Sequence, residues 1–191
     1  MEELEARARR ARRRTLLIVL TGLVAGGVLG WSFPHESATA HALQVVGWSL
    51  AVAGLGGAFS LMWTTTGLLA HLRLPLQSLS REASRSLRKS VNTGQPLLPL
   101  DSESAYRAFD YARIALVYQP LAWAQFLLLY AGIFGPQLSQ LVDDDGFSVS
   151  FSRALCAVLV IVSVVFSVIW SRQLRGTRRY VRRATEMALH R

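Results

Sequence analysis

The chain alternates between long apolar blocks and shorter polar ones rich in arginine. Apolar residues dominate 15–33, 42–70, 121–141 and 151–170. A helix needs about 20 apolar residues to cross the hydrocarbon core of a bilayer, and each block is close to that length or longer. None of the four contains Asp, Glu or Lys. The only arginine in them is Arg153, near the start of the last block, where a long side chain can reach the headgroups. The pattern predicts an all-α polytopic membrane protein with four transmembrane helices and helical cytoplasmic extensions.

The polar stretches are patterned as well. Residues 1–14 form a basic N-terminal segment, 34–41 and 142–150 short outer loops, 71–120 a long middle segment and 171–191 a basic tail. In the middle segment Leu72, Leu76, Leu79, Ala83 and Leu87 recur at helical spacing, with Arg81, Arg85 and Arg88 on the other face. Pro75 can kink this helix near its start. Asn92-Thr93-Gly94-Gln95-Pro96 reads as a turn. Asp101 or Ser102 is the expected N-cap of a second helix, with Ala105, Phe109, Ala112 and Leu116 on one stripe. Two stripes of matched length predict a helical hairpin over 71–120. The alternative is that the basic arm lies flat on an anionic leaflet. In the tail, Leu174, Val181, Ala184 and Ala188 make a weaker stripe.

Charge supplies the orientation. The 191 residues carry a net charge of +9, although 51% are hydrophobic and only 17% charged. Of the 21 basic residues, all but Arg153 fall in 1–14, 71–120 or 171–191, whereas Glu36, Asp143, Asp144 and Asp145 lie in the other two connections. The positive-inside rule then places both termini and the middle segment in the cytoplasm, in a multi-pass protein of the cell membrane. Trp31 and Trp48 would mark the outer interface, and Tyr118, Trp123 and Trp170 the inner one. A basic start, an apolar stretch and Ala38-Thr39-Ala40 also admit a cleaved signal peptide, which would leave three spans.

Candidate chemistry is sparse. Gly22, Gly26 and Gly30 repeat every four residues on one face of the first span, the spacing at which missing side chains let helices pack closely in lipid. That face can meet another span of the same chain or another copy. Arg81, Arg85, Arg88 and Lys89, with Arg178, Arg179, Arg182 and Arg183, are the candidate contacts to lipid headgroups or a partner. Nucleic acid has no motif to support it. His35, Glu36, His41 and the three aspartates match no defined metal site. The single Cys156 can form neither an intrachain disulfide nor a metal centre. No catalytic residue, cofactor or metal is expected. The expected function is a non-enzymatic membrane subunit or scaffold whose partners are anionic lipids, itself or another membrane protein. The alternative is a small homo-oligomeric channel or transporter.

Overall fold

The computed structural model describes residues 2–33, 37–77, 79–97, 99, 102–142 and 146–189, without the side chains of 147 and 148. Its elements are α1 (Glu2–Trp31), α2 (Ala38–Arg73), a 3-10 turn (Leu74–Leu76), α3 (Arg81–Thr93), α4 (Glu103–Phe134), a one-turn α5 (Gln137–Gln140) and α6 (Gly146–Leu189). Among the described residues there is no strand. Among the same residues, four helices are long and apolar enough to cross a membrane: α1, α2 with the turn after it, α4, and α6 over Val149–Leu189. This all-helical architecture suggests a multi-pass membrane protein.

Local chemistry sets the helix ends. Glu2, Glu3 and Glu5 occupy the first turn of α1, where carboxylates complement the helix dipole. Ser102 caps α4, its hydroxyl accepting from the Ala105 amide at 3.2 Å; Asp101, the other expected cap, lies outside the described residues. The single arm expected after the second apolar block is broken in two. Pro75 lacks an amide hydrogen, α2 gives way to the 3-10 turn, and Gln77 is extended. Ser80 then starts α3 by accepting from the Ala83 amide at 3.2 Å. The third apolar block is interrupted too. Helix α4 ends at Phe134, because Gly135 and Pro136 follow before α5.

The chain divides into two compact units. The apolar unit comprises Arg9–Trp63 and Trp123–Phe166. Within it the usual arrangement is inverted: Gly22, Gly26, Gly30, Gly47, Ala53, Gly54, Gly57 and Gly132 are buried, while Leu17, Val24, Val28, Phe151, Ile161 and Val164 are exposed. Water would penalise those exposed side chains at about 25 cal/mol per Å²; lipid would not, and backbone packing between small residues would supply the cohesion. The basic unit comprises Met1–Ala8, Thr64–Ala122 and Ser167–Arg191. It has a core of the soluble kind, in which Leu72, Leu87 and Val91 pack with Ala108, Ala112, Ala115 and Tyr180.

Candidate interaction surfaces

In the apolar unit the glycine face of α1 is filled by α2. A Cβ built on Gly22 would lie 2.7 Å from the Ala53 Cα, one on Gly26 2.6 Å from the Ser49 Cα, and one on Gly30 2.6 Å from the Val45 Cα. The paired positions descend on α2 as they rise on α1, so the helices run antiparallel in fixed register. The Thr15 and Ser60 hydroxyls, 2.9 Å apart, continue that register about two turns further. The opposite side of α2 meets α4 in the same manner, since a Cβ on Gly54 would lie 2.8 Å from the Gly132 Cα and one on Gly47 would collide with the Gly135 carbonyl. Helix α2 is thus sandwiched between two backbones. Ser49 keeps its hydroxyl satisfied by donating to its own helix, at Val45 O, 2.8 Å away.

The eight candidate cations all belong to the basic unit and are all solvent-exposed. Arg81, Arg85, Arg88 and Lys89 lie on α3, whose apolar side is consumed by the core: Leu87 is 2% exposed and Val91 fully buried. Ala83, the other α3 residue of the expected stripe, is exposed. Arg88 comes close enough to Tyr111 to act on it. Burial raises this phenol above its ordinary range, and the Arg88 charge offsets part of the rise. On α6, Arg178 is exposed, and Arg182 pairs with Glu186 at 3.3 Å. Arg183 donates to the Gly94 carbonyl at 3.0 Å, and Arg179 passes so close to Gly94 that a Cβ built there would lie 2.9 Å from its own.

The contact at Gly94 organises the basic unit. Gly94 takes the left-handed conformation, φ 73°, that ends α3, and its amide returns to the Ser90 and Val91 carbonyls. Gly176 of α6 lies against the same turn, where any side chain would collide with the Asn92 carbonyl. Thr177 and Tyr180 beside it are buried. Burial raises the Tyr180 phenol, and a backbone hydrogen bond with Leu97 partly counters this. The helical stripe of the tail, Leu174, Val181, Ala184 and Ala188, does not include Gly176, Thr177 or Tyr180. The available signal was a single glycine within an arginine-rich helix, a residue that costs about 1 kcal/mol there unless something packs on it.

At the other end of the apolar blocks, His41 packs edge-on against Trp31 with centroids 5.0 Å apart, and Phe33 stacks on Trp48 at 5.9 Å. Ser152 is fully buried within hydrogen-bond reach of Gln140, 2.7 Å, and Gln137, 3.2 Å. Arg153 donates to the Leu141 carbonyl at 3.5 Å. His35, Glu36, Asp143, Asp144 and Asp145 lie outside the described residues, and among those described no group of three potential metal ligands converges. Comparison with protein families, with curated proteins and with solved structures gave no match to this chain.

Proposed function

We propose that this chain is a non-enzymatic subunit or scaffold of a membrane assembly. Its four apolar helices cross the cell membrane, both termini and residues 71–120 lie in the cytoplasm, and its basic helical surface contacts anionic lipid or a partner membrane protein. The observation that carries this reading is the basic unit itself. Its helices bury their own apolar sides against one another and leave Arg81, Arg85, Arg88, Lys89, Arg178 and Arg182 outward. Four of its helical segments continue directly into apolar blocks, through α1, α2, α4 and α6. A folded cationic surface joined to spans faces a leaflet whose anionic lipids attract each nearby Lys or Arg by about 1 kcal/mol. The rival channel reading could use a lining of glycine or of Ser and Thr; the glycine lining is the less well supported, since α2 already occupies the face of Gly22, Gly26 and Gly30.

The deciding experiment compares the full chain with a variant carrying Gln at Arg81, Arg85, Arg88, Lys89, Arg178 and Arg182. Both are purified with native lipid and analysed by native mass spectrometry, and both serve as bait in a pull-down from solubilised native membranes. Retained anionic lipid or a stoichiometric membrane partner, lost from the variant, supports the proposal. A pure homo-oligomer that conducts ions in liposomes equally well with or without those cations refutes it.

A further inference from the structure

A groove opens on the basic unit, walled in part by residues of its core. It runs between the first turns of α4 and the last turns of α6, with a volume of about 260 Å³. Ala105 and Phe109 line one side, Tyr180, Ala184 and Ala188 the other. Tyr106 stands at the edge, 66% exposed. We propose that this groove docks an acidic amphipathic helix from a partner protein. The proposal rests on the subunit reading above and supplies the chemistry of the partner.

Two observations lead to that occupant. The first is shape. Alanines at i and i+4 on α6 keep the floor low, so a helix laid there can bring its backbone close, and its larger apolar side chains fill the space above the alanines. The second is charge. Arg113 lies over the Phe109 ring at 5.9 Å, and Arg178 shares the face of Thr185, which also lines the groove. The acids at the groove's ends are paired, Glu103 with Arg107 at 2.6 Å and Glu186 with Arg182 at 3.3 Å. Asp110, beside Phe109, is outnumbered. On the last turns of α6, Arg178, Arg179, Arg182 and Arg183 outnumber Glu186. A segment bearing carboxylates complements this surface, whereas a second copy of the same groove would bring arginine against arginine.

The test uses the full chain in nanodiscs of phosphatidylcholine, which expose both faces, so that its outcome does not depend on orientation. The probe is a fluorescent 18-residue helical peptide with Leu at i, i+3, i+4 and i+7 spacing and Glu at the outer positions, compared with the same peptide carrying Lys for Glu. Empty nanodiscs give the background from partition into lipid. Saturable binding of the Glu peptide is expected, at least tenfold tighter than the Lys peptide. Thr185→Trp and Ala188→Trp, both at exposed positions, should fill the groove and weaken binding at least tenfold, with helicity and anionic-lipid retention unchanged. Equal binding of the two peptides, binding that both Trp variants leave intact, or no binding above empty nanodiscs would each overturn the proposal. Loss of groove binding with lipid retention intact leaves the subunit reading standing.

Discussion

At Gly26 a single hydrogen atom decides whether two helices meet. Any side chain there runs into the Trp48 carbonyl and the Ser49 Cα, which are backbone and cannot rotate away. Gly26→Leu should therefore lower stability by about 1–3 kcal/mol or more, the usual cost of overpacking, and the loss should show as a lower unfolding temperature in detergent. Leu23→Ala, at a position 36% exposed, should shift it by about 0.5 kcal/mol or less. Gly94 is constrained differently. Its φ of 73° lies where a Cβ is strained, and the new atom would also press on Arg179 at 2.9 Å. Gly94→Ala should cost at least about 1 kcal/mol and loosen the α3–α6 contact. An equally stable Ala variant would show that Gly176 and Arg183 hold the turn without it.

Among the elements, α3 depends most on its packing. It has 13 residues, a length at which isolated helices are marginal in water, and its sequence is strongly basic. What keeps it helical is the Ser80 cap, the Gly94 turn and the burial of Leu87 and Val91. Leu87→Ala removes about 2–5 kcal/mol of that burial. Faster amide hydrogen exchange over Arg81–Thr93 is the expected result, with exchange in α1 unchanged. Arg85→Gln, at an exposed position, should alter exchange little. If Leu87→Ala leaves α3 as protected as before, the element is held by its ends alone. Helices α1 and α2 illustrate a different economy. Along Gly22, Gly26 and Gly30 they meet backbone to backbone, so that stretch is sensitive to added volume and tolerant of changes on the outward faces.

For the molecule as a whole, the governing feature is the separation of charge from apolar sequence. Reporter fusions at the C-terminus and next to Asn92 are expected to read cytoplasmic, and one in the connection between α4 and α6 external. One reversed reporter would contradict the positive-inside assignment. The two units also predict opposite responses to solvent. Salt should weaken ligand contact at the arginines of the basic unit, because exposed charges are screened beyond about 10 Å at 0.1 M. It should leave the contact of Gly22, Gly26 and Gly30 with α2 unaffected, since that contact contains no charge.

Four apolar helices and their basic flanks could be read from residue order alone, because burying backbone amides in lipid forces each block of about 20 apolar residues into a helix. The glycine spacing on α1 was legible for the same reason: periodicity is a one-dimensional property. The partner of that face was not. Glycines at i, i+4 and i+8 look the same whether Ala53, Ser49 and Val45 or another copy stands opposite. The break after Leu76 was only half visible. Pro75 announced a disturbance, but the choice between a kinked arm and a new helix rested on whether Ser80 would cap it and Leu87 find a core. Gly176 and Tyr180 were missed altogether, since what makes them central is Asn92 and Leu97, eighty or more residues earlier in the chain. Local sequence determines which segments are helical and which of their faces are apolar. Which face meets which depends on contacts between distant residues, and only the folded chain supplies those.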